Sequence, residues 1–421
     1  MRSLEEIAAG VRAGSLNPAE LVEDALARAA DAAALNAVVH LDVEGARKAA
    51  AAHDRSGALA GVPVLVKEII EVEGLPHRCG SASLDEVGRQ DAEVVRRLRA
   101  AGAIVVGLSH THEFAYGCTG TSNRAGPCRN PHDVSRMTGG SSSGSAAAVA
   151  AGVVPLAIGT DTAGSVRIPA ALCGVVGFKP SYNTLPADRV FPLSQSLDHV
   201  GVLTRSAADA TYALAALAGV VAQARTATPR LGIVTNPEYL DVTPEVGSAW
   251  SALLERLRDA HLVDVRLPDW ARSFSTAANL QGPEAVANHR GRSQDLYQPD
   301  VRQRLLEASQ VQPADYERAK TEAVAITAEL DAVLADVDAI LTPTVLTTAP
   351  LITAADTADG GLGVRKQLLN NTRLANLTRH AAVSLPIPTP GLPVGLQIIA
   401  ISNEQAAGIA RWIEGILAVS D

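Results

Sequence analysis

Lysine is scarce in this chain: of the 36 basic residues among 421, five are lysines (Lys48, Lys67, Lys179, Lys320, Lys366) and 31 are arginines. The formal net charge is −9, so there is no clustered basic footprint of the kind a nucleic-acid partner needs. Aromatic residues make up 3% of the chain and no run approaches 18 apolar residues, the length a membrane-crossing helix requires. Neither nucleic acid nor membrane is therefore an expected partner. Four cysteines (Cys79, Cys118, Cys128, Cys173) form no C-x-x-C pair and no regular framework, and they read as free thiols of a reducing compartment. The N-terminal MRSLEEIAAG has acids where a secretory signal would be apolar. A cytoplasmic location is the expectation.

What the chain has is small and apolar: 47% hydrophobic residues and 34 glycines, spread without a compositional break, an internal repeat or a low-complexity linker. One large domain over 1–421 is expected. Ser3 followed by Glu6 is a capping box that predicts a helix over Ser3–Ala13 with Leu4, Ile7, Ala8 and Val11 on one face. Asn17-Pro18 predicts a second helix start, running to about Ala30. Gly61–Val72 is mostly Val, Ile and Leu and predicts a strand buried on both faces. A helix over Asp91–Ala101 followed by a strand over Ala103–Leu108 gives the strand–helix–strand rhythm of an α/β fold with a largely parallel sheet. Strands are also expected at Val153–Ile158, at Leu231–Val234 and in three returns to the core after Ala339, with a charged helical cover between about 240 and 335. Thr353–Gly363 reads as a mobile surface loop.

Two serine- and glycine-rich loops, Thr138–Ser145 and Gly159–Arg167, are joined by a small-residue helix and an apolar strand, so both can lie at one end of the same unit. Glycine lets a backbone approach a ligand closely, and clustered N–H groups there can cradle an anion. Gly139–Gly144 has the glycine spacing of a phosphate-binding loop, but Ser145-Ala146 stands where that motif needs Lys and then Ser or Thr. Gly140-Ser141-Ser142-Ser143-Gly144 matches a Gly-x-Ser-x-Gly elbow. An elbow follows a strand, whereas 130–138 is polar and turn-like. The second loop does follow a strand, which favours Ser165 as a nucleophile. Lys67, taken alone, reads as a strand-end lysine reaching for water. His110 and His112 follow the strand at 103–108 and suggest a metal-dependent amidohydrolase as a rival, although the remaining histidines lack the strand-end pattern such a site needs.

Taken together, Gly139-Gly140-Ser141-Ser142-Ser143-Gly144-Ser145, Gly159-Thr160-Asp161-Thr162-Ala163-Gly164-Ser165-Val166-Arg167 and Gly61-Val62-Pro63-Val64-Leu65-Val66-Lys67-Glu68 resemble the three motifs of the amidase signature family of serine hydrolases. The resemblance covers essentially the whole chain and is weakest between about 220 and 335. It implies a mixed, mostly parallel twisted sheet with helices on both faces, and a catalytic core over about 61–205 with a C-terminal core return over about 336–421. It also implies a nucleophile at Ser165, a proton relay at Ser141 after a cis peptide bond, and a base at Lys67. The backbone amides of Thr162, Ala163, Gly164 and Ser165 would form the oxyanion hole. Asp161 and Arg167 are expected to brace that loop as an ion pair. Ala163 replaces the family's usual glycine, which is tolerable if its φ is negative, and Glu68 replaces the usual aspartate. The implied activity is hydrolysis of a small carboxylic amide through a Ser-linked acyl-enzyme. No metal or organic cofactor is required, and homodimerisation stays open. Within the family, the alternative is a glutamine-dependent amidotransferase component that works with partners.

Overall fold

The computed structural model describes residues 1–222, 228–355 and 361–418. Its centre is an 11-stranded sheet. In chain order the strands are β1 (Val38–Leu41), β2 (Pro63–Lys67), β3 (Ile104–Ser109), β4 (Leu156–Asp161), β5 (Val176–Lys179), β6 (His199–Thr204), β7 (Arg230–Val234), β8 (His261–Val265), β9 (Ala339–Pro343), β10 (Ala381–Ile387) and β11 (Val394–Ala400). Across the sheet they run β1-β3-β2-β4-β6-β5-β10-β11-β9-β7-β8. The mixed, helix-covered class is as expected, but the balance of pairings differs. Four neighbouring pairs are parallel and six antiparallel. The strand–helix–strand rhythm governs β2 to β4. The rhythm returns at β7 to β9, where β7 pairs in parallel with β8 and β9 across helical connections, whereas the short link from β10 to β11 can join only antiparallel neighbours.

Among the described residues, fourteen helices flank this sheet: α1 (Leu4–Arg12), α2 (Pro18–Asp31), α3 (Val43–Ala51), α4 (Glu93–Ala100), α5 (Ser143–Ala150), α6 (Arg167–Cys173), α7 (Ala207–Ala218), α8 (Pro244–Arg256), α9 (Trp270–Asn288), α10 (Pro299–Ala308), α11 (Pro313–Ala335), α12 (Leu362–Leu369), α13 (Arg373–Leu377) and α14 (Asn403–Ala418). Strand residues alternate faces, and the chain uses that alternation to fill two layers. Val64 and Val66 join Leu4, Leu98, Leu214 and Ile413 on one side, while Leu65 joins Val22, Ala46, Ala147 and Ala170 on the other. In the C-terminal half Ala382 and Ile399 face Leu280, Ile326 and Leu330 of α9 and α11. The expected capping box closes α1, with Ser3 accepting from the Glu6 amide and Glu6 from the Ser3 amide. No described helix is long and apolar enough to cross a membrane. Of the stretch expected to be a mobile loop, Ile352–Ala355 forms a short 3-10 helix and α12 begins at Leu362. Residues 356–360 of it lie outside the described residues.

Candidate active site

β2 and β4 are parallel neighbours, and their C-terminal ends meet at the same edge of the sheet. Lys67 is the last residue of β2 and Thr160 the penultimate residue of β4. Lys67 is fully buried and does not reach water. Its Nζ donates to Ser141 Oγ at 2.7 Å and to Thr160 Oγ1 at 2.7 Å. Burial drives its pKa down to about 7, although the carboxylates of Asp161 and Asp198 pull in the other direction. Such a lysine is partly neutral at physiological pH and can take a proton. Glu68 beside it accepts from Asn123 Nδ2 at 2.9 Å, and burial raises its pKa.

Ser141 follows a cis Gly140–Ser141 peptide, as the resemblance implies. Ser142 is a structural link between the two loops. Its amide donates to the Ser165 carbonyl at 3.2 Å, its hydroxyl donates to the Thr160 carbonyl at 3.0 Å, and the Thr160 amide donates back to it at 3.1 Å. Fully buried and occupied in this way, Ser142 is not placed as an elbow nucleophile. Ser165 is 6% exposed and opens into a cleft with about 370 Å³ of empty space, part of it continuous with solvent. Among the described residues its hydroxyl makes no hydrogen bond, so Lys67 and Ser141 are joined while the Ser141–Ser165 step is not. Hydrogen bonds of this kind often close only around substrate.

The loop from Thr162 to Ser165 is held from behind. Asp161 and Arg167 form the expected ion pair, fully buried, with Nη2–Oδ1 at 2.9 Å and Nε–Oδ2 at 3.0 Å. Burial works against the Asp161 carboxylate, but the Arg167 guanidinium outweighs it and holds the carboxyl well below its usual range. Arg167 also donates to Asn376 Oδ1, Gln397 Oε1 and the Thr372 carbonyl. Thr372 Oγ1 in turn donates to the Ala163 carbonyl at 2.6 Å. On the other flank Thr162 Oγ1 donates to Asp198, whose second oxygen accepts the Leu193 and Ser194 amides. Burial raises the Asp198 pKa to about 6.

Of the four amides expected to form an oxyanion hole, Gly164 needs correction. Its N–H donates to Asp161 Oδ1 at 2.7 Å and is occupied by the brace. The amides of Thr162, Ala163 and Ser165 find no acceptor among the described residues. Ala163 is not among the residues with positive φ; Gly164, at φ 122°, takes that conformation. A Cβ on Gly164 would stand 2.2 Å from Thr372 Oγ1, so glycine is required at 164 and alanine is admitted at 163.

The His-x-His pair does not converge. His110 Nε2 lies 2.9 Å from the Gly126 carbonyl, and burial lowers its pKa to about 4. His112 Nε2 lies 3.1 Å from Asp300 Oδ2 and 3.3 Å from Arg304 Nη1. Among the described residues no group of three or more His, Cys, Asp or Glu is arranged to hold a metal ion. The cysteines are free and buried. The sequence assigns no role to Thr160, Asp198, Asn376 or Gln397, because each is an ordinary polar residue whose part depends on what it meets.

Residues 20–406 match the amidase family. The chain is 36% identical over 444 residues to 2-amino-5-chloromuconic acid deaminase of Comamonas testosteroni, covering 99% of this chain and 96% of that one. It is 33% identical over 471 residues to a glutamyl-tRNA(Gln) amidotransferase subunit of Deinococcus radiodurans, covering 98% and 97%. A crystal structure of an amidase superposes with a TM-score of 0.92 at 35% identity, covering 99% of this chain and 100% of that one.

Proposed function

We propose that this chain, which belongs to the amidase family and is an amide-hydrolysing enzyme, cleaves a small carboxylic amide with Ser165 as nucleophile, Ser141 as relay and Lys67 as base. The observation that carries the assignment is the fully buried Lys67 ammonium, lowered to about 7 and 2.7 Å from Ser141 Oγ, beneath the loop that presents Ser165. A serine hydroxyl is a weak nucleophile until a positioned base accepts its proton.

In this reading neutral Lys67 accepts the Ser141 proton as Ser141 accepts that of Ser165, and Ser165 Oγ bonds to the amide carbon. The carbonyl oxygen becomes an anion facing the Thr162, Ala163 and Ser165 amides, each such donor lowering the barrier by roughly 3 kcal/mol. The C–N bond then breaks as the proton passes back through Ser141 to the leaving nitrogen. Water attacks the Ser165 ester and gives a proton to the same relay; the bond from Ser165 Oγ to the acyl carbon then breaks as the relay returns that proton to Ser165 Oγ, and the acid is released. The Asp161–Arg167 pair and Asp198 keep the loop in shape and touch no reacting atom.

The test is covalent labelling with a fluorophosphonate probe, alongside ammonia or amine release from a panel of amides with and without EDTA. Labelling and turnover are expected in the wild type, to survive chelation and to vanish in Ser165→Ala. Ser141→Ala and Lys67→Ala are each expected to be severely slowed and their double mutant little worse, since members of one proton-transfer unit are non-additive. Labelling that persists in Ser165→Ala and disappears in Ser142→Ala would move the nucleophile to the first loop. A second reading, in which the amide nitrogen is handed to a partner, draws on the relatives named as glutamyl-tRNA(Gln) amidotransferase subunits. Stoichiometric release of free ammonia by the chain alone separates the two.

A further inference from the structure

The cleft over Ser165 has a charge pattern opposite to that of the chain. The molecule carries 45 acids against 36 bases, yet this cleft is lined by Arg304, Arg365 and Arg373 and, among the described residues, by no Asp or Glu. The arginines come from three helices, α10, α12 and α13, and line the same cleft as Thr162, Ala163 and Ser165.

Only one of the three is matched by a carboxylate among the described residues. Arg304 Nη2 lies 2.7 Å from Asp300 Oδ2, and Arg304 Nη1 also donates to the Tyr116 carbonyl. Asp300 is itself shared with His112 and Ser122, so it has little capacity for a second cation. Arg373 makes no ion pair among the described residues: its Nε and Nη1 are buried without a hydrogen-bond partner, and its guanidinium lies over the Phe274 ring, 4.1 Å from the centroid. Burial, and then the charge of Arg365, lower its pKa to about 10, a sign of two cations close together in a poorly solvated place. Gln281 also lines the cleft. A buried donor left without an acceptor is costly, and a guanidinium is the side chain whose fork matches a carboxylate in two bonds.

We propose that Arg373 and Arg365 form a carboxylate subsite, so that the amide cleaved at Ser165 belongs to a molecule that also carries a free carboxylate, such as the monoamide of a short dicarboxylic acid. This rests on the reading of Ser165 as nucleophile, and it adds the part of the substrate that does not react. An anion docked there supplies the missing acceptors and offsets the repulsion between the two guanidiniums.

The experiment compares each of malonamate, succinamate, glutaramate and adipamate with its uncharged methyl-ketone counterpart, for example succinamate with 4-oxopentanamide. For the best chain length the anionic amide is expected to have a kcat/KM roughly 10- to 100-fold above its neutral partner, as for a hydrogen bond to a charged group. Arg373→Met should bring that ratio towards one, and Arg373→Lys should restore part of it. A wild type that turns over the neutral amides as well as or better than the anionic ones overturns the inference while leaving the amidase reading intact. If no amide is turned over, titration of succinate into the wild-type protein decides separately. Binding that Arg373→Met weakens by a similar factor supports the subsite, and succinate that does not bind overturns it.

Discussion

Lys67 carries two opposed demands, and its pH behaviour separates them. In its proposed role as the base it must be neutral, so kcat/KM is expected to fall roughly tenfold per pH unit below the folded pKa of about 7 and to level off above it. As a buried cation it opposes folding. Its folded pKa is below the value near 10.4 of an unfolded lysine, so between those two values the unfolded chain binds more protons and stability rises with pH. Below about pH 7 both states are protonated and the penalty is at its full size. Lys67→Met is therefore expected to be inactive yet more stable than the wild type, with a margin that shrinks by roughly 2–3 kcal/mol between about pH 6 and about pH 9. Urea unfolding of both proteins at the two pH values measures this; a margin that is constant or grows with pH contradicts a depressed lysine pKa.

The loop that follows β4 is shaped by side chains from elsewhere. Arg167, at the start of α6, ties Asp161 to Thr372, Asn376 and Gln397, which belong to the α13 region and to β11. Arg167→Met would leave the Asp161 carboxylate buried opposite no guanidinium, and a loss of about 3–5 kcal/mol is expected. The denaturant midpoint reads that loss. A variant within experimental error of the wild type would show that the pair is not holding the loop. This brace was only half legible in the sequence. Asp161 and Arg167 flank one loop and could be paired from that, and the resemblance brings Lys67 and Ser141 together. The Asn376 and Gln397 ends of the network are separated from it by two hundred residues or more, and no local pattern announces them. The same holds for Arg304, Arg365 and Arg373. Each is an arginine on a helix in or beyond the stretch where the resemblance is weakest, and nothing in a helical pattern says that three such residues meet. The missed antiparallel pairings have a related cause, since the alternation that marks a strand does not give its direction.

We propose that the molecule folds as a single domain. One continuous apolar cluster includes Leu4 of α1, Val64 of β2, Leu231 of β7, Val383 of β10 and Ile413 of α14, so both termini and both halves of the sheet share a core. Calorimetry is expected to show one transition, with the calorimetric and van't Hoff enthalpies agreeing. Two resolved transitions, one of them sparing the labelling of Ser165, would instead divide the chain at the boundary between β6 and β7.

The order of strands in the sheet also sets a timetable for synthesis. Lys67, Ser141 and Ser165 leave the ribosome early, along with β1 to β6. The outer edge of β5 pairs with β10, and the brace behind Ser165 waits for Thr372, Asn376 and Gln397. At translation speeds of about 5–20 residues per second, the remaining half of the chain takes roughly 10–40 s to appear. During that interval a nascent chain presents an open strand edge, of the kind that invites pairing with other chains, and the three side chains of the proposed triad are present before the support that aligns them.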